Sequence, residues 1–332
     1  MSDTSISAGA PDVQELSSIN SIATHRAKFD PRTAAPFVNK SISEETRRAY
    51  RRAVADFFQF AGGKHPTEVA PDDVLRWRDH LRAGRKRAAT VSFKLSVIRS
   101  FFEYLKAGGV ISLNPASTKL VSPPEVPTEP AGRALTVKEV RYLLAGPDRG
   151  KAEGARDYAL MLTMLRLSLR VAEACALRAS SIKWSHGRWT LKCKVKGGRE
   201  ETWPLPKDVK QAVDEYLKLD AERRATLHSD GEDAYLFQPQ TNYRTLVFDK
   251  GISSRMVQNI VKRWAAYGGV GDVSPHDLRR TAITRALEIG QSYRQVQMMS
   301  KHKDPKTVMR YDHGRENLDQ NAVNFLQYED GE

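Results

Sequence analysis

Two cysteines, Cys175 and Cys193, are all that the 332 residues contain. They cannot build a disulfide framework, and their spacing is not that of a thiolate zinc site, so the chain reads as a protein of a reducing, cytoplasmic interior. No run approaches the roughly 20 apolar residues of a membrane span. The opening MSDTSISAGAPDVQELSS lacks the basic and then apolar stretches of a secretory leader. A soluble protein with no membrane contact is expected. Acidic residues are outnumbered: 40 of them against 53 lysines and arginines leave a net charge of +13. That balance suits a polyanion such as nucleic acid, and equally a basic protein that is merely soluble.

Large apolar side chains are sparse in residues 1–40, where Ser, Thr, Ala and Pro dominate, which predicts a flexible arm. From Ser43 the pattern changes. Tyr50, Val54, Phe57 and Phe58 recur at helical spacing, a second helix runs through Asp72 to Leu81, and a third from Thr90 carries Val91, Leu95, Ile98, Phe101, Phe102 and Leu105. It ends near Gly108-Gly109.

Residues 41–119 thus predict a small helical bundle, with 15 basic residues against 8 acidic ones. Arg85-Lys86-Arg87 stands just before the third helix, where cations and backbone amides can face phosphate together; the alternative is a solvated loop. Lys94 on that helix joins them as a candidate DNA contact. Residues 120–133, with Pro123, Pro124, Pro127 and Pro130, predict an extended linker. A second unit, 134–332, opens on a Thr136/Glu139 capping box, and in it RWTLKCKV and ETWPLP predict a hairpin joined through Gly197-Gly198.

Four short segments of this second unit carry groups suited to an anion. YALMLTMLRLSL, a helix apolar nearly all round, runs into Arg170 and Glu173, either a buried ion pair or a guanidinium delivered rigidly to a ligand. Lys196 sits at the hairpin tip, solvated or reaching toward a ligand. Ser274-Pro275 fits a helix start, which puts His276 and Arg279 on one face of its first turns, where the dipole favours an anion; a capping histidine beside a surface arginine is the plain alternative. Asp304-Pro305 starts a short helix with Tyr311 near its end, nine residues after His302. A tyrosine packed with Val308 in the core would read the same way.

Arg170, Lys196, His276, Arg279, His302 and Tyr311 occur in the order found in the tyrosine recombinases and phage integrases, and residues 41 to 325 resemble that family. TVSFKLSVIRSFFEYL with Asn114-Pro115 resembles its core-binding helical domain; LRVAEACALR, KGGREETWPL, HDLRRTA and the stretch His302 to Tyr311 resemble its four catalytic boxes. Ser168, Arg280 and Lys301 depart from it, standing where the family often has Gly, His and Gly; Lys301 adds a charge beside the nucleophile and leaves the backbone less free. The fold implied is mainly α with a small antiparallel β-sheet: an N-terminal SAM-like core-binding domain and a mixed α/β catalytic domain, closing as a clamp around DNA.

The resemblance also implies a chemistry. Arg170 and Arg279 would clamp the scissile phosphate in place of metal ions, Tyr311 would form a 3′-phosphotyrosyl link, and Lys196 would protonate the leaving 5′ oxygen. His276 and His302 would assist, with Glu173 orienting Arg170, and no metal or cofactor is expected. The partners implied are double-stranded DNA carrying an inverted-repeat site, a homotetramer in the synapse with the tail after Tyr311 docked on a neighbour, and accessory proteins. In ISSRMVQNIVKRWAAYGG, Arg255, Gln258, Asn259 and Lys262 share a polar helix face that can read base edges or simply be solvated. Alternatives are a type IB topoisomerase or telomere resolvase, and a noncatalytic DNA-binding accessory protein. A bacterial or mobile-element host is the expected setting.

Overall fold

The helical periodicity that begins at Ser43 is realised in a bundle of α1 (Ala35–Asn39), α2 (Glu44–Phe60), α3 (Pro71–Ala83) and α4 (Ala88–Ala107). The structure, a computed structural model, describes residues 28–41, 43–126, 132–195, 198–227, 233–240, 251–312 and 322–325. The chain divides after Pro127 into two units.

In the first unit, α2 places Glu44 and Glu45 in its first turn, where carboxylates meet the positive end of the helix. Val54, Phe57 and Phe58 then pack with Leu95, Ile98, Phe101 and Phe102 of α4. Phe57 meets Trp77 of α3 edge-on at 5.2 Å, and Phe58 meets Phe101 likewise at 5.8 Å. Asn114 ties the exit loop to α4: its Nδ2 donates to the Arg99 carbonyl at 3.0 Å and to Glu103 Oε2 at 2.9 Å, and its Oδ1 accepts from Ala116 N.

The flexible arm expected over 1–40 needs correcting at its end, while residues 1–27 lie outside the described ones. Phe29, Phe37 and Val38 are buried in the bundle core. Asp30 caps a 3-10 turn by accepting from Arg32 N at 2.9 Å, and prolines at the starts of this turn and of α1 fix the helical entry. Few apolar residues suffice when each is aimed inward. Val121 also belongs to this core, so the linker begins after it.

The second unit is centred on α6 (Ala152–Leu167), buried along most of its length against α8 (Lys207–Leu219) and α11 (Pro275–Glu288). Before it comes α5 (Val137–Ala145), started by the expected capping box, with Glu139 N donating to Thr136 Oγ1 at 3.2 Å. After it come α7 (Val171–Ala176) and an antiparallel sheet of β1 (Ile182–Ser185), β2 (Arg188–Lys194) and β3 (Glu200–Pro204). The predicted hairpin is β2–β3, with Leu191 opposite Trp203 and both side chains buried. β1 has too few residues to show a period; it joins β2 through His186 and Gly187, whose φ of 52° and 71° make a tight turn matched to the twist of the strands. The remaining helices are α9 (Ala221–Leu227), α10 (Ser254–Tyr267), α12 (Tyr293–Ser300) and α13 (Pro305–Met309). Among the described residues no helix is long and apolar enough to cross a membrane.

Candidate active site

Arg279 is the fixed point of the site. Ser274 and Pro275 start α11 as expected, with the Ser274 backbone and hydroxyl donating to Asp277 Oδ2 at 2.8 and 2.6 Å. Arg279 follows in the second turn, only 2% exposed. A buried guanidinium must spend its N–H groups on acceptors. Nη1 donates to the Ser168 carbonyl, and Nη2 donates to the Ser300 carbonyl at 2.6 Å and to His302 Nε2 at 3.0 Å. Because Nε2 accepts, the neutral His302 ring carries its proton on Nδ1, which lies 2.9 Å from Ser300 Oγ.

Both carbonyls close helices, which explains two departures from the family pattern. α6 ends at Ser168 with φ 49°, and α12 ends on Lys301 with φ 53°. These are left-handed positions that favour glycine, occupied here by residues with side chains. The turns point the negative ends of α6 and α12 at Arg279. Contrary to expectation, Lys301 does not put its charge beside Tyr311: its Nζ lies 3.2 Å from Glu201 Oε2 on β3.

Arg170 follows two residues after Ser168. Glu173, 4% exposed, accepts from Arg170 Nη1 and from its backbone N, each at 2.8 Å. The ion pair and the ligand-facing reading are therefore compatible, since about a third of the Arg170 side chain stays open to solvent. Arg170, His276, Arg279 and His302 are close enough for their charges to act on one another. Burial and then Arg170 bring Arg279 down to about 10, still a cation at neutral pH. Burial, then Arg279, Arg170 and His276, bring His302 down to about 4, so it is neutral. His276, though at the surface, is held below its ordinary value by partial desolvation first and Arg279 next.

Tyr311 joins this cluster while also packing as a core aromatic with Ile283, Val296 and Val308. Its ring lies nearly parallel to that of His302, with centroids 6.1 Å apart, and the buried Arg280 guanidinium sits 5.5 Å from the ring centroid. Lys196, at the hairpin tip, lies outside the described residues, as does most of the tail beyond Asp312. Within that tail Val323 is 72% exposed. Sequence reasoning missed the backbone carbonyls of Ser168 and Ser300, the Ser300 hydroxyl and Arg280. Carbonyls have no sequence signal, and Arg280 was visible only as a departure.

The candidate DNA contacts fall into two groups. Arg85, Lys86 and Arg87 are exposed in the turn between α3 and α4, and Arg255, Gln258, Asn259 and Lys262 are exposed along α10 opposite its buried Val257, Ile260 and Val261. Lys262 is shared with Asp272 at 3.3 Å. Lys94 is different: it is mostly shielded, pairs with Asp56 of α2 and lies 5.9 Å from the Trp77 ring centroid, so it braces the bundle.

Residues 133–317 match the family model described as Phage integrase family, and residues 37–109 match that of the phage integrase N-terminal SAM-like domain. The chain is 30% identical to the tyrosine recombinase XerC of Thermodesulfovibrio yellowstonii, over 83% of this chain and 88% of that protein. It is also 30% identical to the XerD of Xanthomonas campestris pv. campestris, over 83% and 84%. Its fold is similar to that of the XerH recombinase bound to a difH substrate, with a TM-score of 0.65 at 14% identity over 94% of both chains. It is likewise similar to the Tn1549 transposon integrase with circular intermediate DNA, at 0.64 and 15% identity over 94% and 99%. The family-model match over more than half of the chain, together with these relatives, places the chain in the phage integrase family, the tyrosine site-specific recombinases.

Proposed function

We propose that this recombinase cuts and rejoins one strand of a DNA duplex at a time through a phosphotyrosyl bond on Tyr311. The observation that carries the reading is the convergence of two guanidinium groups, two imidazoles and a tyrosine at the joined ends of α6, α11 and α12. Arg279 and Arg170 would bind the nonbridging oxygens of the scissile phosphate and stabilise the charge that grows there. Tyr311 Oη would bond to phosphorus as the P–O5′ bond breaks, and Lys196 would deliver a proton to the departing oxygen. A 5′ hydroxyl from a partner strand reverses the step, so the bond energy is conserved without ATP. His276 at the helix start would take up the phenol proton and hydrogen-bond the phosphate, while His302, whose acceptor nitrogen already holds Arg279, would keep that guanidinium in place.

The partners in this reading are a DNA site with inverted repeats and further copies of the chain, four in a synapse, with accessory proteins selecting the direction of exchange. In the same reading the tail after Tyr311 docks on a neighbouring copy. Arg85, Lys86, Arg87 and the polar face of α10 would hold the duplex, the former on phosphates and the latter on base edges. A nicked suicide substrate tests the chemistry. Parent protein should yield a covalent adduct mapped to Tyr311, and Tyr311→Phe should bind equally and yield none. An adduct that persists in Tyr311→Phe refutes the assignment.

A further inference from the structure

Arg280 follows Arg279 on α11 and leaves the helix by a different face, one turn on from His276. It is 3% exposed, so its charge is carried into the interior at a cost that a surface arginine does not meet. The family often has histidine at this place, so the fold alone does not call for a fixed cation. Among the groups that Arg280 meets is Tyr311. Its guanidinium carbon lies 5.5 Å from the centre of the tyrosine ring, within the range at which the face of an aromatic ring holds a cation.

Tyr311 needs a directional hold. Its backbone is fixed where α13 ends, with its N donating to the Val308 carbonyl at 3.0 Å, but the ring can still turn about its side-chain torsions. Ile283, Val296 and Val308 enclose the ring through apolar contact, which has no preferred direction. The nearly parallel His302 ring, 6.1 Å away, is already tied to Arg279 and Ser300. A cation set against the electron cloud of the ring does select an orientation.

We propose that Arg280 is a positioning residue for the nucleophile: it holds the Tyr311 ring by its face, so that the helix that fixes the scissile phosphate through Arg279 also fixes the group that attacks it. The two guanidinium groups belong to successive residues of α11, and the phosphate clamp and the ring therefore share one rigid frame. The inference rests on reading Tyr311 as the nucleophile.

The test is single-turnover cleavage at saturating DNA by the parent and by Arg280→Met, which fills much of the same space without charge. Each is prepared with Tyr311 as it is and with monofluorotyrosine or difluorotyrosine in its place. Every fluorine draws electron density from the ring and weakens its hold on a cation. Fluorine also changes the acidity of the phenol, but equally in both proteins, so that effect cancels in the ratio of their rates. With the natural ring, Arg280→Met is expected to cleave about tenfold more slowly at unchanged DNA affinity. Arg280→Lys, which keeps a cation, should stay within about threefold of the parent. The ratio of parent to Arg280→Met should shrink from about tenfold to about threefold as fluorines are added, because the parent loses a hold that the variant never had. A ratio that stays constant across the three rings makes Arg280 a packing residue, and no slowing makes it incidental; either result overturns the proposal. If Arg280→Met does not fold, Arg280→His replaces it in the same comparison at about pH 8, where an imidazole is uncharged. Tyr311→Phe separates the two ideas. An adduct that persists in it defeats the nucleophile reading itself, whereas an adduct that requires Tyr311, with a constant ratio, defeats only the role of Arg280.

Discussion

In the first unit the described interior is aromatic and aliphatic, with His65, Asp73 and Asn114 as its buried polar side chains; in the second, Arg156, Asp157, Glu173, Asp220, Asp277, Arg279 and Arg280 are all buried. The first unit keeps Arg85, Lys86 and Arg87 at the surface, where they cost nothing to solvate. The second draws Arg279 and Glu173 inside and must supply each with partners. Holding a duplex needs only charge within reach of phosphates, whereas reacting with one phosphate needs charge fixed to a fraction of an ångström. Burial supplies that fixity because a guanidinium locked by three acceptors cannot swing away.

The sharpest way to break this comparison is to remove cations from each unit in turn. Arg279→Ala should cut cleavage at saturating DNA by about 10³-fold, as expected for losing a preorganised donor to transition-state charge, with binding nearly unchanged. The triple change Arg85→Ala, Lys86→Ala and Arg87→Ala should do the reverse. Cleavage at saturation should hold, while the slope of log affinity against log salt becomes shallower by about 0.9 for each phosphate that is no longer neutralised. Single-turnover rates and a salt titration separate the two. An unchanged salt slope would make the triplet a solvated loop.

The same contrast governs what could be read from the chain. The periodic apolar residues from Tyr50 to Leu105 specify the bundle directly, because each helix face is written in consecutive turns. Arg170, Arg279, His302 and Tyr311 were legible only as an ordered set, since no one of them has a local pattern that distinguishes catalysis from packing. The acceptors of Arg279 were not legible: Ser168 and Ser300 serve through their carbonyls, and they meet only when α6 and α12 are folded against α11. Phe29 and Phe37 were missed for a related reason, since two aromatics in a polar stretch show no period.

A smaller effect is expected on acidification. His302 falls from its ordinary 6.5 to about 4 in the folded protein. Between those values the unfolded chain binds the extra proton, so stability is full above pH 6.5 and is lost progressively as pH drops toward 4. His276, lowered in the same direction, adds to the trend. Thermal melts of the parent should therefore drop across this window more steeply than those of His302→Gln, which has no proton to gain. DNA that brings a phosphate to His302 should bind with proton uptake there. Parallel melting curves would mean that His302 is solvated rather than enclosed.

The smallest change sharpens the comparison within the second unit itself, between its two left-handed helix ends. Ser168 has φ 49° and is fully buried; its hydroxyl makes one long hydrogen bond, 3.5 Å to the Met299 carbonyl, and the group that serves Arg279 is its backbone carbonyl. Ser168→Gly keeps that carbonyl and removes the side chain that resists the turn, worth about 1 kcal/mol. The melting temperature should rise by about 2–4 °C with cleavage unaltered. Lys301→Gly relieves the same kind of backbone and should not share that neutrality, because Lys301 reaches Glu201 whereas the Ser168 side chain holds nothing the reaction needs. If both glycine variants gain stability and both cleave like the parent, each side chain is incidental. If Ser168→Gly slows cleavage, the 3.5 Å hydrogen bond to Met299 steadies the same helix end that anchors Trp203.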